Sequence, residues 1–305
     1  MLLTKNRIFA LAVLILIFAS GCSQQSQQKS QIATLKGITL TPKSFSTEDF
    51  NDFFTKAKQA GSMVSWAGDW NELSSDKGAP YVVEGLSSKY GYIPVIEAQF
   101  FQQSGGKLLR PLDDTAKESY KTSAAAFAGK YKPEYLALGI EVNILYEKSP
   151  SDFDAFVSFY SDVYDAVKKA SPDTKVFTIF QLEKMKTNNE WNLIDKFSSD
   201  IIGFTTYPEI TYKEPSEIPE DYYSEILSHV SKPIAFTEIG WSGKNEDQQA
   251  AFMGRFFSLA KNSNPEFEIW SFLYDQNTEI PFNSMGLFYQ DGTAKKAWSE
   301  WINEK

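Results

Sequence analysis

Glu141 and Glu238 each close a short apolar run, and these two carboxylates are the residues best placed to do chemistry. The first run reads Tyr135-Leu136-Ala137-Leu138-Gly139-Ile140-Glu141. The second reads Lys232-Pro233-Ile234-Ala235-Phe236-Thr237-Glu238, with Trp241 just beyond. Apolar runs that stop at a carboxylate suit buried parallel strands carrying function at their C-terminal ends. Two carboxyls facing one cleft are the minimum equipment for splitting a glycosidic bond.

Such residues need a scaffold, and the rest of the chain supplies its pattern. Short apolar runs alternate with amphipathic stretches from residue 37 to the end. The runs predict strands at 37–40, 63–66, 93–98, 135–141, 175–180, 201–207, 233–238 and 268–272. The intervening stretches predict helices at 47–60, 80–90, 115–131, 152–170, 190–197, 221–230, 246–262 and 293–302. Ser46-Thr47-Glu48-Asp49 reads as a capping box opening the first helix, and Gly61 stops it. Phe153, Phe156, Val157, Tyr160, Val163, Tyr164 and Val167 form a stripe fit to pack on a sheet. Eight strands alternating with eight helices predict the α/β class, as a single-domain (β/α)8 TIM barrel. A doubly wound open sheet would want a Gly-rich turn after an early strand, and no G-x-G-x-x-G occurs. Long segments at 99–114, 208–220 and 273–292 follow the third, sixth and eighth strands, where they would shape the cleft.

The first residues read as an address. Lys5 and Arg7 precede an apolar stretch at 8–18 that is short for a bilayer span. It leads to Ala19-Ser20-Gly21-Cys22, which resembles a bacterial lipobox, and Cys22 is the only cysteine of the chain. Residues 1–21 are expected to be a lipoprotein signal peptide and Cys22 the lipidated residue. Residues 22–35, rich in Ser and Gln, would be a flexible tether, and 36–305 the barrel. The expected location is therefore extracytoplasmic, with the membrane reached through the lipid alone. The chain carries 30 basic and 39 acidic residues, a formal charge of −9, which argues against nucleic acid as a partner. Aromatic residues make up 15% of it. That excess, without a basic excess, favours a polysaccharide or oligosaccharide partner.

Several segments carry a specific resemblance. Leu138-Gly139-Ile140-Glu141-Val142-Asn143 resembles the G-N-E-x-N segment that ends the fourth strand in clan A (β/α)8 glycoside hydrolases, especially the endo-β-1,4-galactanases. The stretch from Pro233 to Trp241 is similar to their seventh strand, where the nucleophile sits. Ile201 to Pro208 resembles the sixth, whose tyrosine touches the nucleophile, and Glu268-Ile269-Trp270 the eighth, whose tryptophan floors the sugar site. Gly286-Leu287-Phe288, Asp291-Gly292 and Ala297-Trp298 resemble the closing stretch, so the likeness covers most of the chain in order. It implies a retaining double displacement, with Glu141 as acid/base, Glu238 as nucleophile and Tyr207 supporting Glu238. The carboxyls of such pairs stand about 5–5.5 Å apart. No cofactor and no metal are implied.

The chain also departs from that pattern. Ile140 stands where the clan has an asparagine that bonds the sugar 2-hydroxyl, and Asn143 is a candidate substitute. The arginine of the second strand has no counterpart, since only Arg7, Arg110 and Arg255 exist. Trp66, Trp241 and Trp270, with Trp70 and Tyr274, are candidates for stacking on sugar rings, though core packing is the commoner use of aromatics. Glu97 and Gln181, with Glu183, follow strand ends and are candidate polar contacts, and Glu97 is an alternative member of the catalytic pair. Asp69, Glu72 and Asp76 form an acidic loop better read as surface than as a calcium site. The single histidine, His229, reads as a packing residue. A glycan-binding lipoprotein that kept the barrel and lost efficient catalysis is the second functional expectation.

Overall fold

The computed structural model describes residues 34–304. Residues 1–33, with the expected signal peptide, Cys22 and most of the expected tether, lie outside the described residues. Eight parallel strands form a closed barrel: β1 (Leu35–Thr39), β2 (Met63–Asp69), β3 (Ile93–Gln99), β6 (Tyr135–Leu138), β7 (Lys175–Gln181), β8 (Ile201–Thr206), β9 (Ile234–Ile239) and β10 (Phe267–Trp270), with β10 pairing back onto β1. A two-stranded hairpin, β4 (Phe101–Gln102) with β5 (Lys107–Leu108), stands above β3. The principal outer helices are α1 (Thr47–Ala60), α2 (Ala79–Tyr90), α3 (Asp114–Tyr131), α5 (Pro150–Ala170), α7 (Glu246–Ala260) and α8 (Lys296–Asn303), with α4 (Val142–Lys148) and α6 (Leu182–Asn188) as short helices following strands. The (β/α)8 expectation is met. Among the described residues no helix is long and apolar enough to cross a membrane.

The period-two alternation of each strand sorts its side chains into two cores. Met63, Val95, Tyr135, Ala137, Phe177, Ile179, Ile201, Ala235, Phe267 and Ile269 fill the barrel interior. Val64, Ile96, Leu136, Val176, Ile202, Phe236 and Trp270 face the helices, where Phe153, Phe156, Tyr160, Val163 and Val167 of α5 form the expected stripe. Ser46 caps α1 by accepting from Asp49 N, but the other half of the expected capping box does not form, because Ser46 N donates to Ser44 Oγ instead of to the Asp49 side chain.

Two predicted helices turn out to be 3-10 turns. The one at 190–197 is reduced to Trp191–Lys196, because the preceding residues fold into α6 instead, ended by Asn189 in the left-handed region (φ 53°). The one at 221–230 is reduced to Ser224–Ser228. There the consecutive tyrosines Tyr222 and Tyr223 are both buried but in different places. The Tyr222 hydroxyl donates to Glu183 (3.0 Å), while the Tyr223 ring lies edge-on against Phe236 and Phe256. Neighbouring residues anchored in this way do not share one helical face.

Candidate active site

Two local irregularities put the paired glutamates in the barrel mouth. β9 carries a bulge. Phe204 pairs with Phe236, but the next residue, Thr205, pairs with Glu238, so Thr237 is the extra residue. Phe236 and Ile239 consequently both face the helices although three positions apart, and Glu238 swings onto the inward side with Ala235. A regular strand would have pointed Glu238 outward, and re-aiming a side chain is the known use of such bulges.

The end of β6 is irregular in a second way. The strand predicted to reach Glu141 stops at Leu138, because Gly139 takes φ 101° and Glu141 takes φ 55°. A Cβ on Gly139 would come within 2.9 Å of Val142 Cγ1, so both the conformation and the space call for glycine. The turn drops Ile140 into the interior core and lifts Glu141 to the head of α4. A non-glycine residue held there costs about 1 kcal/mol or more, a strain that recurs at functional positions.

Each of the two carboxyls has its own polar partners. Glu141 is buried, and its Oε1 accepts from Thr205 Oγ1 (2.6 Å) and its Oε2 from Gln103 Nε2 (3.1 Å). Thr205 is also the in-register neighbour of Glu238 on the adjacent strand. Burial, then the Glu238 charge, pushes the Glu141 carboxyl up to about 8. Glu238 is partly exposed and accepts a hydrogen bond from the Tyr207 hydroxyl. Burial raises its pKa, and the Tyr207 bond pulls it back. Ser271 Oγ lies 2.9 Å from the same hydroxyl and itself donates to Ile239 O (3.0 Å). The outcome is two unlike carboxyls: Glu141 holds its proton at neutral pH, while Glu238 keeps a donor that favours its anion.

Tyr207→Phe removes the one interaction that lowers the Glu238 pKa. The acid limb of any activity profile governed by Glu238 is therefore expected to move to higher pH, with kcat falling about 10- to 100-fold. A pH–rate series on the variant checks this, and an unmoved acid limb would show that Tyr207 does not tune Glu238.

Other sequence candidates lie elsewhere. Trp66 faces the helices from β2, with its ring against Gly68. Trp241 stacks on Phe252 at 5.0 Å and is 2% exposed. Trp270 is fully buried between Phe252 and Trp301, its Nε1 donating to Met285 O (2.9 Å). None of the three tryptophans offers a ring to the cleft; the inward position after Ile269 belongs to Ser271. Asn143 is occupied with the Gln181 backbone, donating to its O (3.0 Å) and accepting from its N (2.8 Å), and does not take the place left by Ile140. Gln181 itself caps α6 through Lys184 N (2.6 Å) and donates to Glu183 (2.8 Å). Glu97 does face the barrel axis from β3, one layer below Gln99, and is fully buried. Asp69 sits at the top of β2, gripped by Arg110 through two bonds of 2.7 Å. Glu72 accepts from Ala79 N and Asp76 pairs with Lys130, so each residue of the acidic loop has a protein partner. His229 stacks flat on Trp191 (4.3 Å, 3°), a packing role as expected.

Sequence reasoning missed Thr205, Gln103 and Ser271, the hydroxyls and amide that hold the site together. It also missed Phe282, a partly exposed ring lying edge-on to Tyr207 at 5.2 Å. Thr205 had a signal, being the inward residue one period before Tyr207. Gln103 and Phe282 sit in loops after strands and carry no periodic mark.

No protein-family model matches the chain, and no curated protein matches it in sequence. Solved structures do match in fold, and several of them are glycoside hydrolases. One is an exo-β-1,4-mannosidase from Opitutaceae bacterium strain TAV5, at 14% identity and a TM-score of 0.68, covering 88% of this chain and 58% of that protein. The chain thus spans somewhat under three fifths of that protein's length. A GH5_18 protein from Streptomyces cattleya in complex with GlcNAc matches at 15% identity and a TM-score of 0.68, over 90% of this chain and 82% of the other. The GH53 catalytic domain of Ignisphaera aggregans matches at 14% identity and a TM-score of 0.63, over 88% and 95%. At such identities the likeness establishes the barrel.

Proposed function

We propose that this chain is a glycoside hydrolase that cleaves β-linked polysaccharide or oligosaccharide with retention, using Glu141 and Glu238. The observation that carries the reading is the asymmetric carboxyl pair: one buried and protonated at neutral pH, the other held by a tyrosine hydroxyl. Similarity to barrels named as glycoside hydrolases supports it. In the first step Glu238 attacks the anomeric carbon, the glycosidic C–O bond breaks, and Glu141 gives its proton to the departing oxygen. In the second, Glu141 takes a proton from water, whose oxygen displaces Glu238 and restores the anomeric configuration. Phe282, against Tyr207, is the ring placed to contact the bound sugar.

A 2-fluoro-β-glycoside with a good leaving group tests this directly. The expected result is a stable adduct whose proteolytic peptide carries the label on Glu238. A label on another acid would move the nucleophile, and no label across gluco, galacto and manno reagents would remove the retaining mechanism.

The glycan-binding alternative rests on Ile140 and the absent strand-two arginine. Binding of oligosaccharide by the wild type without any release of product would favour it. We also infer anchoring by a lipid on Cys22, from the Ala19-Ser20-Gly21-Cys22 motif and its basic and apolar leader. In the producing bacterium, Cys22→Ser is expected to move the protein from the detergent phase to the aqueous phase on phase partitioning. An unchanged partition would end the lipoprotein assignment.

A further inference from the structure

Three carboxyls, Glu97, Glu141 and Glu238, face the same end of the barrel interior, and among the described residues none meets a lysine or arginine. Three of the cations that follow strand ends on this face are committed elsewhere. Arg110 is held by both oxygens of Asp69, Lys295 pairs with Asp275 (2.6 Å), and Lys184 pairs with Glu147 (2.9 Å). Glu97 stands out within the set. It is fully buried, and neither of its oxygens accepts a hydrogen bond. Ser65, on the inward side of the neighbouring strand, gives its own proton to Thr39 (2.9 Å). Burial and then the Glu238 charge push the Glu97 carboxyl well above its usual range, against a smaller pull from the adjacent Ser65 hydroxyl. A buried polar group left without a partner is costly and calls for an explanation.

We propose that this end of the barrel selects a cationic sugar, a β-linked hexosyl unit carrying a free amine on carbon 2. The proposal rests on the glycosidase reading and names its substrate class. Glu238 must reach the anomeric carbon, so the substituent on the adjacent ring carbon is the sugar group that lies nearest the Glu238–Glu97 side. At that point Ile140 offers a 2-hydroxyl no donor or acceptor, its side chain being packed in the interior core. An ammonium there is served by the field of two carboxyls in a water-poor site, where charges interact more strongly than in solution. Glu97 acts across Glu238 rather than by direct contact: as the amine arrives, Glu97 releases its proton to the buffer and the added charge is balanced. A uronate meets the same field with the wrong sign, and the chain's net charge of −9 adds to that discrimination at long range.

The test uses four cleavage-resistant, sulfur-linked β-1,4-disaccharides, built from glucosamine, N-acetylglucosamine, glucose and glucuronate. Binding to the full chain is measured by calorimetry at pH 6.5 in two buffers of different ionisation enthalpy. The glucosamine unit is expected to bind about tenfold tighter than glucose, a difference of about 1.4 kcal/mol, to weaken in high salt, and to release protons. Glu97→Gln is expected to diminish the proton release and to shrink the preference for glucosamine over glucose. Equal binding of glucose and glucosamine, or proton release and preference unaltered in Glu97→Gln, would overturn the proposal. Should that variant not fold, the salt dependence in the wild type decides, and a preference untouched by salt is fatal to it. Failure of the glucosamine unit alone leaves the glycosidase reading intact. Failure of all four disaccharides together with failure of fluoro-sugar trapping removes both.

Discussion

Glu238→Gln is expected to lower kcat on any β-glycan substrate by at least about four orders of magnitude, with KM within tenfold of the wild type. The two side chains have the same shape, and the glutamine oxygen still accepts the hydrogen bond that Tyr207 gives to Glu238. The substitution therefore removes the nucleophilic oxygen with little disturbance of the cleft. Glu238→Ala sharpens the test. It leaves room beside the anomeric carbon, so added azide is expected to restore turnover and to yield the glycosyl azide of inverted configuration. There azide supplies the new bond, and the leaving oxygen still takes its proton from Glu141. A variant that keeps a tenth of wild-type activity would show that Glu238 forms no covalent intermediate. A wild type that binds oligosaccharide yet releases no product would favour the glycan-binding alternative.

The contrast between what sequence made legible and what it hid has a consistent physical cause. Periodicity is a property of runs, and the eight strands and most helices announced themselves through it. Even the capping serine of α1 was readable. What the sequence concealed depends on departures from the period. Counting alternate residues from Ala235 would have pointed Glu238 at the helices, and only the bulge at Thr237 reverses this. Likewise Gly139 and the left-handed Glu141 reverse the sense of the chain after β6, sending Ile140 inward and opening α4 where a longer strand was expected. The tryptophans show the opposite failure. Trp66 and Trp270 end or follow strands in the expected places, but their parity puts them under the helices. Residue type suggested sugar stacking, and register assigned packing. The strand-two arginine has no substitute at its own position. β2 presents Ser65, Ala67 and Asp69 inward, and Arg110 is taken up by Asp69, so among the described residues Glu97, Glu141 and Glu238 face one another without a neutralising cation.

Burial, and then the Glu238 charge, make Glu141 costly to the fold, and the cost can be measured. A carboxyl whose pKa rises from 4.5 to about 8 on folding is penalised by on the order of 5 kcal/mol once fully ionised. The sign follows from proton counts. Between pH 4.5 and 8 the folded chain holds a proton at Glu141 that the unfolded chain has lost. The contribution of this group is thus fully present below about pH 4.5 and is lost as pH rises through about 8. Glu141→Gln cannot ionise and still accepts from Thr205 through its amide oxygen. It is expected to match the wild type near pH 4.5, to exceed its stability by about 3 kcal/mol at pH 7, and to exceed it by about 5 kcal/mol at pH 9. Urea unfolding of both proteins at these three pH values gives the comparison directly. The same substitution should cut turnover of an unactivated glycan by about 100- to 10,000-fold, because the departing oxygen has no proton to take. A substrate whose leaving group needs no proton should still form its glycosyl-enzyme at close to the wild-type rate. In the wild type kcat/KM should fall as pH rises through about 8, and this limb should vanish for the activated substrate. A variant no more stable than the wild type at pH 9 would mean that Glu141 is not desolvated in the folded protein. The assignment of Glu141 as the acid would then lose its physical basis.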